Sequence, residues 1–132
     1  MFRGSCLCGA VAFEAEGPSE FRYCHCSRCR KSRGTAFAAN MFVRPVDFRW
    51  LRGQDQVSKF RMPETQRFGN WFCRVCGSPV PREVPVLSVI LIPAGSLDDD
   101  PGVRPQYHIF VSSKAPWEEI ADALPRHAEY SN

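Results

Sequence analysis

The chain has 132 residues, 44% of them hydrophobic and 23% charged, with a formal net charge of +3. That composition excludes a disordered or collagen-like chain, and so mild a charge gives no reason to expect a nucleic-acid partner. The longest apolar stretch, residues 86–92, contains Ser88 and is far too short to span a bilayer, so no membrane segment is expected.

The length suits a single domain over residues 1–132, and eleven prolines and nine glycines favour short strands and many turns. In chain order, Val11 and Phe13 alternate with Ala12 and Glu14 until Gly17-Pro18 stops the run. Residues 35–43 are mostly apolar and lie between Gly34 and Pro45. Val46, Phe48 and Trp50 then alternate with Asp47, Arg49 and Leu51, a period-2 strand pattern. Residues 57–61 and 66–72 are expected to pair across the turn Met62-Pro63-Glu64, and residues 86–92 and 107–111 read as two further strands. One helix is expected at the C-terminus. Pro116 suits a first helical position, and Trp117, Ile120, Ala121 and Leu124 form an apolar stripe before Pro125. The predicted fold is mainly β, with a short C-terminal helix.

The seven cysteines fall into three groups: Cys6-Leu7-Cys8, Cys24-His25-Cys26-Ser27-Arg28-Cys29 and Cys73-Arg74-Val75-Cys76. Grouped spacing of this kind points to bound metal. Thiolate-rich tetrahedral sites select zinc, with iron the main competitor at a four-cysteine site. Disulfides fit less well. The count is odd, and Met1-Phe2-Arg3-Gly4-Ser5 runs into the first group with no apolar signal segment, which points to the cytoplasm. The CxC and CxxC pairs, each followed by a glycine (Gly9, Gly77), complete a four-thiolate site from distant segments. Cys24, Cys26 and Cys29 remain as a contiguous trio. A four-thiolate zinc is closed and structural, whereas three protein ligands leave a position free for chemistry. The rival partition joins the CxxC to the trio and strands the CxC.

Arg28, Arg30, Lys31 and Arg33 surround Cys29 and are candidate contacts for an anionic substrate, against the alternative of a solvated basic turn. His25 lies between two ligands and, on an extended segment, points away from the metal as a supporting or surface residue. His108, in Tyr107-His108-Ile109-Phe110-Val111, reads as a core histidine. Asp98-Asp99-Asp100 reads as an acidic turn, and Phe68, Trp71 and Phe72 as core.

Three segments together resemble the glutathione-dependent formaldehyde-activating enzyme family, also called the centromere protein V family. They are Gly4-Ser5-Cys6-Leu7-Cys8-Gly9-Ala10-Val11, Cys24-His25-Cys26-Ser27-Arg28-Cys29-Arg30-Lys31 and Phe72-Cys73-Arg74-Val75-Cys76-Gly77-Ser78-Pro79. Gly95-Ser96-Leu97-Asp98-Asp99, His108-Ile109-Phe110-Val111 and Lys114-Ala115-Pro116-Trp117 are similar to that family as well. The resemblance implies a fold of several coiled antiparallel sheets, a β-tent. It implies two zinc ions: a structural one on Cys6, Cys8, Cys73 and Cys76, and a catalytic one on Cys24, Cys26 and Cys29. It also implies carbon–sulfur lyase chemistry joining glutathione to formaldehyde as S-hydroxymethylglutathione. The chain departs from the family pattern where Pro79, Pro81 and Pro85 crowd the segment after the CxxC.

Two functions of different class follow. One is a zinc enzyme acting on the adduct of glutathione or another small thiol. The other is a non-catalytic zinc module that binds a protein or nucleic acid through the basic patch from Arg28 to Arg33.

Overall fold

The computed structural model describes residues 1–65 and 67–131. Its strands, in chain order, are β1 (Phe2–Ser5), β2 (Ala12–Ala15), β3 (Glu20–Cys24), β4 (Ala38–Val43), β5 (Phe48–Arg52), β6 (Val57–Arg61), β7 (Gly69–Cys73), β8 (Arg82–Val84), β9 (Val89–Pro93) and β10 (Tyr107–Ile109). One α-helix among the described residues, α1 (Ser27–Arg33), lies between β3 and β4. The strands form a three-stranded sheet β1-β2-β5, a five-stranded sheet β10-β3-β4-β9-β8 and a two-stranded sheet β6-β7. All pairings are antiparallel except β3 with β10. The fold is therefore mainly β, as expected.

The main core lies between the first two sheets, where Phe2, Phe13 and Ala15 meet Phe21, Met41, Val43, Ile90 and Ile92. Within the three-stranded sheet, Gly4 leaves room for the Phe13 ring of its partner strand, since a Cβ there would lie 2.3 Å from the end of that ring. A second cluster, Val11, Trp71 and Val80 around Cys6 and Cys73, joins the three-stranded sheet to the β6-β7 hairpin. A third packs Cys24, Cys29, Ala38 and Ile109 at the β3 end of the large sheet.

Several elements differ from the sequence expectation. Pro45 seeds a 3-10 turn over Pro45–Asp47, so the strand begins only at Phe48 and Val46 is exposed. A second such turn, Pro85–Leu87, shortens the next expected strand to Val89–Pro93. The hairpin pairs Val57–Arg61 with Gly69–Cys73 in register Val57 to Cys73. Gln66, the first residue of its expected second strand, lies outside the described residues.

The expected C-terminal helix is not formed: residues 116–124 are turn and irregular chain. Just beyond them, the backbone lies along β10 instead. His108 N–H donates to the Pro125 carbonyl, His127 N–H to His108, and Phe110 N–H to Glu129. Side chains take up carbonyls that a helix would have used. Lys114 Nζ donates to the Glu118 carbonyl, and Arg126 Nη2 to those of Ile120 and Asp122. The apolar stripe has no surface to cover, Trp117 being 71% exposed, and a helix this short does not hold without one.

Gly53 has φ +75°, and a Cβ there would sit 2.0 Å from the Ala10 carbonyl oxygen. Gly34, at φ +64°, would meet nothing within 4 Å. Gly53→Ala is therefore expected to destabilise the protein by about 3 kcal/mol or more, against about 1 kcal/mol for Gly34→Ala. Side-by-side denaturant titrations check this, and equal losses would mean that steric overlap at Gly53 contributes nothing.

Candidate metal centres

Cys6 and Cys8 flank the turn that follows β1, while Cys73 ends β7 and Cys76 closes the following knuckle. Cys6 N–H donates to the Val11 carbonyl, Gly9 N–H to Cys6, and Gly77 N–H to Cys73. These bonds fold each pair around its sulfurs. The four sulfur atoms all lie within 4.8 Å of one another. The Cys6–Cys8 and Cys8–Cys73 separations are 3.7 and 3.9 Å. Tetrahedral zinc with bonds of about 2.3 Å requires sulfurs about 3.8 Å apart, so this donor set fits the ion. The spacing is far beyond a disulfide bond, and all seven cysteines are free.

The trio is built differently. Cys24 ends β3, Cys26 is the N-cap of α1, and Cys29 is its only buried residue. Cys26 Sγ accepts the Cys29 N–H at 3.3 Å, which turns the chain so that the three sulfurs also lie within 4.8 Å of one another. Hydrogen bonds from Cys24 and Cys29 push the Cys26 thiol down to about 2. The same contacts push Cys24 up to about 11 and Cys29 higher still. So close a set ionises fully only when a cation takes the place of the protons, as a metal site requires.

Behind the trio, Asn40 is buried with Nδ2 4.0 Å from Cys29 Sγ, and its Oδ1 accepts from Arg33 Nη2 at 3.0 Å. His25 and His108 are both buried, with His25 Nε2 2.8 Å from His108 Nδ1. Burial, then the neighbouring His108, lowers His25 to about 4, so its ring is neutral at pH 7.

In front of the trio is a cleft of about 310 Å³ lined by all three of its cysteines. None of the other four cysteines lines it. Phe42, Val84, Leu87 and Leu91 make an apolar wall, and Arg22, Arg28, Arg67 and Arg82 supply positive charge. Arg22 pairs with Glu20 at 2.9 Å while its buried Nε has no partner. Arg82 lies over the Phe68 ring and donates to the Arg67 carbonyl at 2.8 Å. Burial, and then Arg33, lowers Arg82 to about 10, which leaves it charged at neutral pH.

Of the four basic residues singled out in the sequence, Arg28 alone lines this cleft. Arg33 turns inward to Asn40. Arg30 and Lys31 belong, with Arg33, to the last turn of α1, where positive charge complements the helix carbonyls. Arg22, Arg67 and Arg82 carry no local signal, because only the fold brings them together. His108 is in the core as expected, and His25 points away from the sulfurs onto it. Asp98 and Asp99 accept from Ser5 Oγ and the Arg3 N–H, and Asp100 pairs with Arg104, so each carboxylate of the acidic turn has a protein partner. Trp71 is buried as expected.

Free cysteines are gathered into two groups that could hold metal ions on a mainly β scaffold, one of them opening onto a basic cleft. The profile of the glutathione-dependent formaldehyde-activating enzyme family matches residues 1–113, and the chain belongs to that family. A Halomonas elongata protein that carries the family's enzyme name provisionally is 28% identical over 127 residues, covering 91% of this chain and 81% of its own. A crystal structure of a Rhodobacter sphaeroides protein has 33% identity and a TM-score of 0.58, and covers 78% of this chain and 91% of its own. No helix among the described residues is long and apolar enough to cross a membrane.

The Cys8–Cys73 contact joins residues 65 apart in sequence, whereas the trio lies within one local stretch. Cys73→Ser is therefore expected to remove stabilisation on the order of 10 kcal/mol and unfold the domain, while Cys26→Ser leaves the fold nearly intact. Thermal unfolding of the two variants checks this, and equal losses would mean that the two groups do not differ in what they contribute to the fold.

Proposed function

We propose that residues 1–132 form one zinc-dependent domain of carbon–sulfur lyase type, acting on the adduct between an anionic thiol of the glutathione class and formaldehyde. The observation that carries this reading is the cleft, which the trio lines and the four-cysteine group does not. Cys6, Cys8, Cys73 and Cys76 would hold a structural zinc, and Cys24, Cys26 and Cys29 a second, reactive one. Free cysteines suit a reducing compartment such as the cytoplasm.

When bound at the trio, the ion supplies Lewis acidity and lowers the pKa of a thiol beside it. The protein's own groups do the rest. Arg22, Arg28, Arg67 and Arg82 attract and orient a carboxylate-bearing thiol. Phe42, Val84 and Leu91 exclude water from one side, which strengthens those charge contacts. Asn40 offers its amide N–H to Cys29 and tempers the negative charge of the sulfurs. In the addition the S–H bond breaks, an S–C bond forms to the aldehyde carbon, and the proton ends on the former carbonyl oxygen. The lyase direction reverses each change.

Elemental analysis of reduced protein is expected to give close to two zinc ions per chain. With cobalt in place of zinc, an anionic thiol should change the visible spectrum, and adduct formation or breakdown should outpace the uncatalysed reaction. Arg28→Glu should weaken thiol binding about tenfold, equivalent to about 1.4 kcal/mol, whereas Lys31→Glu, on the same helix outside the cleft, should change it little. A spectrum unmoved by several thiols, with adduct rates equal to buffer, would sink the enzyme and leave a zinc-binding interaction module.

A further inference from the structure

Asp122 belongs to the irregular C-terminal segment, beyond residue 113, where the family profile stops. Its carboxylate oxygens lie 3.1 and 3.0 Å from Nε2 of His108. His108 Nδ1 in turn lies 2.8 Å from Nε2 of His25. The two rings are 0% and 1% exposed for His25 and His108, and their centroids are 5.0 Å apart. Phe37 packs against both rings, and Tyr23 against His108. His25 is the residue between Cys24 and Cys26, and its backbone N–H is fixed to the Ile109 carbonyl at 3.0 Å. Ring and backbone of the residue between two candidate ligands are thus both tied to β10, and the last link of that tie comes from the tail.

Granted the reading above that the trio holds a metal, we infer that Asp122 is a positioning residue for it, acting through His108 and His25. The chain of contacts runs carboxylate, imidazole, imidazole, backbone, and it ends where Cys24 and Cys26 diverge from the strand. A carboxylate that orients a metal-ligating imidazole commonly governs how firmly the ion is held, and its loss typically lowers metal affinity by about 10- to 100-fold. Here the imidazole is not a ligand. It holds the peptide between two ligands, so loosening it lets the sulfurs spread. The four-cysteine group shares none of these contacts and serves as an internal reference.

The test uses the full chain loaded with two equivalents of metal and a chromophoric chelator in excess. Wild type should release metal in a fast phase from the trio and a slow phase from the four-cysteine group. Asp122→Ala, at a side chain 43% exposed, should speed the fast phase about tenfold or more and leave the slow phase unchanged. His108→Phe keeps the aromatic packing, removes both hydrogen bonds and should do the same. The double variant should be no faster than either single one, since both break one chain. With cobalt at the trio, both variants should alter that site's visible bands alone. Equal acceleration of both phases would mean that the tail merely supports the fold, and unchanged phases would mean that the chain positions nothing. Either result overturns the inference while leaving the proposed function standing. A wild-type protein that binds only one metal overturns both.

Discussion

Bringing thiols together within 4.8 Å is the demand around which the rest of the molecule is arranged. Two full charges about 4 Å apart repel by about 4 kcal/mol at the effective dielectric of a protein surface. Four thiolates make six such pairs, far more repulsion than a domain with a net stability of about 5–15 kcal/mol absorbs. Ionised together they need a cation to balance them, and with a metal at that site binding and folding would be one event. The four-cysteine group is also part of the second core cluster, where Cys6 and Cys73 pack against Val11, Trp71 and Val80. Sulfur contacts do here what a larger apolar interface does elsewhere.

The two groups use opposite strategies. One spans a long stretch of sequence and ties the turn after β1 to the end of β7, so its first effect is on stability. The other sits on a strand end and a seven-residue helix whose capping group is a thiol. Such a helix is too short to stand alone, and it depends on Cys26, Gly34 and the packing of Cys29 for its shape. A local site of this kind adds little to the fold, and its geometry is set by neighbours: Asn40 and Arg33 on one side, the histidine pair on the other.

The cysteines were legible in the sequence because ligand spacing is a local property. Glycines after each knuckle allow the tight turn, and the grouping survives whatever the strands do. The strands around the core were legible where side chains alternate, as at Phe48 and Trp50, and less so where a proline cut them short, as at Pro85. Helix α1 escaped notice because Ser27–Arg33 has no apolar stripe and no hydroxyl or carboxylate cap. The C-terminal helix failed for the complementary reason. Its stripe was genuine, but the adjoining backbone was taken by β10 and no apolar surface waited for Trp117. The arginines of the cleft could not be read at all. Arg22 is on β3, Arg67 follows the hairpin turn and Arg82 opens β8, so their meeting is a consequence of sheet order alone.

That meeting decides the electrostatics of the cleft. Four thiolates around a divalent cation carry a net charge of −2 and no vacancy, so further anions are repelled and the site stays closed. Three carry −1, and Asn40, Arg33, Arg22 and Arg82 all lie close enough to offset it. Arg82 keeps its charge although half-buried, because desolvation lowers it only to about 10. A partly dry wall of Phe42, Val84 and Leu91 raises the worth of each of these charges. On the function proposed above, the result is a centre that tolerates one more sulfur anion, provided that the molecule bearing it also brings a carboxylate for the arginines. A neutral small thiol would satisfy the metal but bring no carboxylate to those arginines. On that reading, the charge balance that would let the site form also favours acidic thiols.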